Sequence, residues 1–195
     1  MNDKIRIKDS QLLSDNYYVL KKYSIEQINE NGEKEIYRRE VYDRGNGAVI
    51  LLYHPNKKSV ILTKQFRIPT YVNGNTDGML IEACAGQLDD ENPEECIKRE
   101  TQEETGFHIK NVRKVFESYM SPGVMTEILY FFIAEYDENM KKSKGGGLDE
   151  EGEEIEVMEL DFDQAYSMIE TGEIKDSKTI MLLQYAKING LNPIK

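Results

Sequence analysis

Residues 86–107 read GQLDDENPEECIKRETQEETGF: Glu91 stands eight positions before Arg99, and Arg99, Glu100, Glu103, Glu104 and Gly106 follow in the run RETQEETG. Asn92 is a good N-cap, Pro93 suits the first helical position, Glu94 and Glu95 complement the positive helix end, and Gly106 can close the far end. The spacing therefore predicts a capped helix over 93–105. On it Glu100, Glu103 and Glu104 fall at i, i+3 and i+4, so three carboxylates share one face and repel each other unless a cation neutralises them. Carboxylate and water oxygens suit Mg²⁺ or Mn²⁺, whereas softer metals prefer thiolate and imidazole. With no histidine pair nearby, the pattern points to the hard cations and away from zinc. Taken alone, such a triplet also describes an ordinary solvated helix face; the flanking residues decide between the two.

Those residues resemble the signature of the Nudix hydrolases, GX5EX7REUXEEXGU, where U is a bulky apolar residue. Glu91, Arg99, Glu100, Glu103, Glu104, Gly106 and Phe107 fall at the family spacing. Ala85 occupies the place of the first glycine, which arrives one residue late at Gly86, and Thr101 replaces an apolar residue. Outside the motif, SDNYYVL, REVYDRGNGAVILLY, KQFRIPTYVNGN, the SPG segment with the glutamate after it, and TGEIKDSKT are similar to the GDP-mannose pyrophosphatase branch of that superfamily. This likeness spans nearly the whole chain.

The resemblance implies an α+β Nudix fold, a mixed β-sheet sandwiched between α-helices, and hydrolysis of a nucleotide sugar to a nucleoside monophosphate and a sugar 1-phosphate. It implies Mg²⁺, with Mn²⁺ as a possible substitute, held by Glu100, Glu104 and the Ala85 carbonyl, with Glu103 supporting them or binding a second ion and Arg99 orienting the glutamates. A further acid is implied from the glycine-rich loop. Counting back from the IEV strand selects Glu153, which is favoured, and counting from the glycines selects Glu151; which of them is a ligand or the general base stays open. Substrate contacts implied by the likeness are Tyr17 against the base, Arg38 and Glu40 from an N-terminal arm, Arg67 on phosphate, the Ala85-Gly86 backbone, and Glu127 and Lys178 closing the pocket. The family precedent is a homodimer in which such arms exchange between subunits.

Composition agrees with a globular enzyme. At 195 residues the chain can bury a substantial core. The longest apolar run, Ile128–Ala134, is far shorter than the roughly 20 residues of a membrane span, and MNDKIRIKD lacks the apolar core of a signal peptide. A cytoplasmic location is the default expectation. The net charge of −11 argues against nucleic acid or an anionic membrane as partner, so an anionic substrate must be drawn in by local cations such as Arg38, Arg39, Arg67 and Lys178. Cys84 and Cys96 form no CxxC or zinc spacing and read as free buried thiols.

Along the chain, Asn16–Gln27 and Lys34–Arg44 are rich in tyrosine, valine and isoleucine around the Asn31-Gly32 turn signal and predict an N-terminal hairpin arm. The expected division is an arm over 1–43, dimer-forming, and a catalytic domain over 44–195. Strands are predicted at Gly47–His54, Lys58–Arg67, Met79–Ala85, Val112–Tyr119, Glu127–Tyr136 and Glu154–Leu160, and helices at Asp163–Glu170 and Thr179–Ile188, ending near Gly172 and Gly190. Lys141–Glu154, a basic patch, three glycines and then acids, reads as a mobile loop. Three functions compete: a GDP-mannose hydrolase, an ADP-ribose or other nucleotide-sugar hydrolase with the same metal helix, and a non-catalytic nucleotide-binding module. Retention of Arg99, Glu100, Glu103 and Glu104 together disfavours the last.

Overall fold

The computed structural model describes residues 4–148, 150 and 152–191. The chain begins with three strands, β1 (Ile5–Asp15), β2 (Val19–Ile28) and β3 (Lys34–Asp43), paired antiparallel in the order β1-β2-β3. The predicted hairpin is β2 and β3. β1 is an addition that its sequence hides, because IRIKDSQLLSD keeps no constant two-residue alternation. Its register on β2 slips twice, between Ile7 and Asp9 and between Leu12 and Ser14, and each slip carries the apolar residues to the other phase. The β2–β3 turn is organised by Asn29, whose Oδ1 accepts from the backbone N–H groups of Asn31 and Glu33.

Ser118–Leu129 clusters with these strands as one compact unit. Within it, Tyr42 donates its N–H to the Val124 carbonyl at 2.8 Å, Thr126 N–H returns to the Tyr42 carbonyl at 3.2 Å, and the Thr126 hydroxyl donates to Asp43.

The second unit holds Gly47–Glu117 and the chain from Tyr130 onward. The elements after β3 are β4 (Gly47–His54), β5 (Ser59–Phe66), α1 (Ile68–Val72), β6 (Met79–Glu82), β7 (Ala85–Gln87), α2 (Pro93–Glu100), β8 (Arg113–Tyr119), β9 (Ile128–Glu135), β10 (Glu156–Asp161), α3 (Phe162–Thr171) and α4 (Ser177–Asn189). The sheet is mixed, with order β10-β5-β4-β9-β8, while β6 pairs with β5 and β7 with β4.

Every residue of β4 is buried. Because successive side chains point to opposite faces, this demands cover on both sides, and the packing supplies it. Ala48, Ile50 and Leu52 join Cys96 and Ile97 of α2, Leu88, Phe107 and Phe132 in one apolar cluster. Leu182, Leu183 and Ala186 of α4 are buried outside that cluster while α4 also packs on β4, which places α4 over the face carrying Val49, Leu51 and Tyr53. Each valine, leucine, isoleucine or phenylalanine among them stabilises the fold by about 1.5–3 kcal/mol when fully withdrawn from water. A helix-sheet-helix arrangement therefore holds the segment between β6 and α2, from which the site is built. Cys84 and Cys96 are free and buried. Among the described residues no helix is long and apolar enough to cross a membrane.

Candidate active site

α2 starts as its sequence dictates. Asn92 Oδ1 accepts from the N–H groups of Glu94 and Glu95 at 2.9 and 3.1 Å, Pro93 follows, and Lys98 reaches back to Glu94 and Glu95. Cys96 and Ile97 point into the core. The predicted uniform helix to residue 105 is where structure and expectation differ: Thr101–Thr105 forms a π-helical turn. Threonine hydroxyls bond back along this turn, Thr101 to the Ile97 carbonyl at 2.6 Å and Thr105 to the Thr101 carbonyl at 2.5 Å. Such bonds compete with the regular ladder, and π turns recur at functional sites.

The carbonyls left over at this end are taken by the glycine-rich segment. Gly146 N–H donates to Glu104 O at 2.9 Å, Gly147 N–H to Glu103 O at 3.2 Å, and Lys142 N–H to Gly106 O at 2.7 Å. At Gly145, where φ is +69°, a Cβ would lie 2.4 Å from the Glu104 carbonyl oxygen, so only glycine lets the two backbones meet. Within the expected mobile loop, residues 142–147 are docked on the helix end. The run of glycines serves close approach here, a reading that composition cannot separate from flexibility.

Docking brings the carboxylates together. Glu104 is 2% exposed and its Oε2 accepts the Ala85 N–H at 3.3 Å. The Glu100 carboxylate lies against Gly86, where a Cβ would stand 2.0 Å from its Cδ. Arg99 bonds three glutamates, Glu91 at 3.1 Å, Glu100 at 3.0 Å and Glu103 at 2.8 Å. Burial opposes the Arg99 charge, but these carboxylates outweigh it and raise its pKa. Burial pushes the Glu100 carboxyl up to about 7, against the pull of Arg99 and with added repulsion from Glu103 and Glu153. It pushes Glu104 up to about 8, with Glu100 and Glu153 adding to the rise while Cys84 and Arg67 oppose it. Glu153 thus acts on both acids, and its Oε2 accepts the Leu148 N–H. Glu151, the other loop candidate, lies outside the described residues.

Buried Glu104 and part-buried Glu100, both resisting ionisation and with the field of Glu153 upon them, form an all-oxygen set. That chemistry fits a hard divalent cation. Among the described residues no group of three or more His, Cys, Asp or Glu side chains is gathered closely enough to hold a metal ion. A groove of about 980 Å³ lined by His108, Lys110, Asn139 and Lys142 among others contains none of these acids, so the charged groups locate the chemistry better than cavity size does.

Arg67 and Lys178 meet on a residue that the sequence reading did not single out. Glu82 is 3% exposed; its Oε2 accepts from Arg67 Nε at 2.7 Å and its Oε1 from Lys178 Nζ. Lys178 also bonds Asp176 at 2.9 Å. A glutamate inside the apolar run MLIEACA was the available signal, since such a residue is rarely buried unless paired. Of the remaining expected contacts, Tyr17, Arg38, Glu40 and Glu127 belong to the first unit. Tyr17 is 85% exposed with its ring edge-on to Tyr18, Glu40 stands opposite Lys22 in the β2–β3 register, and buried Glu127 lies 3.6 Å from Arg44.

Gly86→Ala is expected to displace Glu100 while the flexible carboxylate, not the backbone, absorbs the clash. Turnover should fall at least about tenfold with little change in melting temperature, since misplacing a catalytic group by about 1 Å can cost 10²-fold. Unchanged turnover in that variant would show that the Glu100 position is immaterial.

Comparison with known proteins bears on both units. The model of the NUDIX domain matches residues 43–183, and that of the GDP-mannose pyrophosphatase NudK N-terminal domain matches residues 4–42. The chain is 54% identical over 191 residues to a GDP-mannose pyrophosphatase of Enterobacter sp. (strain 638), covering 98% of this chain and 99% of the relative. It is 57% identical over 190 residues to one from Pectobacterium atrosepticum, covering 97% of each. A crystal structure of an ADP compounds hydrolase shares the fold with a TM-score of 0.72 at 16% identity, covering 96% of this chain and 97% of that one.

Proposed function

This chain belongs to the Nudix hydrolase family, and from that premise we propose that it hydrolyses the pyrophosphate bond of GDP-mannose, giving GMP and mannose 1-phosphate. The carrying observation is the pair of full-length relatives above half identity, both GDP-mannose pyrophosphatases, together with buried Glu104 and part-buried Glu100, whose carboxyls both resist ionisation.

The cation is Mg²⁺, with Mn²⁺ able to replace it. Glu100, Glu104 and the Ala85 carbonyl would hold it, with Glu103 in support and Glu153 or Glu151 completing the set from the loop. Bound there, it supplies charge neutralisation on the pyrophosphate and acidifies a water. The chain's own groups do the rest. Arg99 straps Glu91, Glu100 and Glu103 in one orientation, and the docked glycine segment fixes the end of the catalytic helix. A loop acid, Glu153 or Glu151, accepts the proton of the attacking water. Water attacks one phosphorus, its P–O–P bond breaks, and the leaving oxygen departs on the other phosphate. Arg67 receives phosphate oxygens and Lys178 stands behind it. Tyr17, Arg38, Glu40 and Glu127 recognise the nucleotide and sugar.

The enzyme acts as a homodimer that exchanges its N-terminal arms, and it works in the cytoplasm. Support for exchange comes from the arm itself: Ile7, Leu12 and Ile36 are 68%, 55% and 64% exposed, which a three-stranded sheet does not ordinarily leave to water. Substrate preference is tested by kcat/KM on GDP-mannose, GDP-glucose and ADP-ribose with Mg²⁺. GDP-mannose should be the best of the three; ADP-ribose as the preferred substrate would move the chain to the other nucleotide-sugar specificity.

A further inference from the structure

Withdrawing two carboxylates and an ammonium from water together, with a part-exposed guanidinium as the fourth member, is seldom favoured over an apolar packing of the same volume, so the Glu82 network needs a reason. Its architecture supplies one. Asp176 caps α4: one carboxylate oxygen accepts from Thr179 N–H at 2.9 Å and from the Thr179 hydroxyl at 2.5 Å, and the other accepts from Lys178. The Thr179 hydroxyl oxygen accepts the Ala83 N–H at 2.6 Å. The first turn of α4 thereby grips the backbone just before Ala85 and Gly86, and through Lys178 it also grips Glu82. Glu82 spends its remaining oxygen on Arg67 Nε, one edge of the guanidinium. Among the described residues the terminal nitrogens of Arg67 have no hydrogen-bond acceptor; the side chain is 40% exposed and its field reaches Glu104. A planar fork held along one edge has its other donors aimed in a fixed direction.

We propose that Glu82 is a positioning residue for phosphate binding: mounted on Lys178 and Asp176, it aims the terminal N–H groups of Arg67 at the substrate phosphate beside Glu104. This role rests on the nucleotide-sugar reading above. In it Lys178, whose ammonium is shared between two carboxylates, belongs to the mount.

The test measures KM, kcat and the Mg²⁺ half-saturation concentration on GDP-mannose for Glu82→Gln, Arg67→Ala and the double variant. Glu82→Gln should raise KM by about 10–100-fold, the usual effect of losing a group that orients another, and leave the Mg²⁺ half-saturation unchanged. The double variant should be no worse than Arg67→Ala alone, because both changes remove the same contact. An unchanged KM in Glu82→Gln, or losses that multiply in the double variant, would overturn the role. Should Glu82→Gln not fold, Arg67→Lys reads the same geometry, since lysine cannot pair with Glu82 and present a second edge to phosphate. A KM raised to a similar degree is expected there, and a wild-type KM would overturn the role. No turnover by the unsubstituted enzyme would remove the nucleotide-sugar reading itself, whereas normal turnover with an unchanged KM in Glu82→Gln removes only this one.

Discussion

Glu104→Gln should lower kcat by at least about 10²-fold, more than the loss of a group that merely orients a metal ligand, while leaving the protein folded. Glutamine has the same reach, so its amide oxygen can still accept the Ala85 N–H that Glu104 holds, but a neutral amide is a poor Mg²⁺ ligand. Stability separates this from a general lesion. In the metal-free protein burial holds the Glu104 pKa at about 8, well above its unfolded value, so the folded state binds the proton more tightly than the unfolded chain. Stability from this group is then fully present below the unfolded pKa and declines as pH rises towards 8. Glutamine does not titrate. With EDTA present, the melting temperature of the variant relative to the wild type should therefore increase from pH 5 to pH 8. Near-normal turnover would sink the metal assignment, and a variant that melts far below the wild type at every pH would show that Glu104 is chiefly structural.

Removal of residues 1–43 should give a monomer whose kcat/KM falls by about tenfold for each charged hydrogen bond to substrate that goes with the arm. Tyr17, Arg38 and Glu40 all leave in that truncation, whereas the Glu100/Glu104 pair remains. The arm's exposed Ile7, Leu12 and Ile36 leave with it, removing the surface through which exchange would be held. Light scattering reads the mass and turnover on GDP-mannose reads the rest. A fully active monomer would refute arm exchange, and a weakly active dimer would place the subunit contact elsewhere.

The elements most legible in the sequence were those with strong local chemistry. β4 needed only its apolar run between Gly47 and His54, and α2 was announced by Asn92, Pro93 and the acids after them. What stayed hidden depended on partners distant in the chain. β1 pairs along its length, but its alternation is broken by two register shifts. α1 is a five-residue turn of helix with no buried residue, so it has no apolar face to betray it. The π turn arises from threonine back-bonding and from carbonyls claimed by a loop some forty residues later, neither of which shows in the spacing RETQEETG.

The site divides in the same way. Arg99 and its three glutamates sit within one short run of sequence, Glu91 just ahead of the helix and the others on it, and could be found by counting. Gly86, which comes one residue late against the signature, has the Glu100 carboxylate lying against it, a contact that spacing does not reveal. Glu82 joins Arg67 and Lys178 only because β5, β6 and α4 converge, and its sole trace in the sequence is a charge inside an apolar strand.

The most direct measurement of the central claim is product identification after incubating the purified protein with GDP-mannose, with and without Mg²⁺, by anion-exchange chromatography. GMP and mannose 1-phosphate in equal amounts, formed only with the divalent cation, are the predicted result. Formation of GDP and free mannose, or GMP release that persists in excess EDTA, would contradict cleavage of the pyrophosphate by a metal held on Glu100 and Glu104.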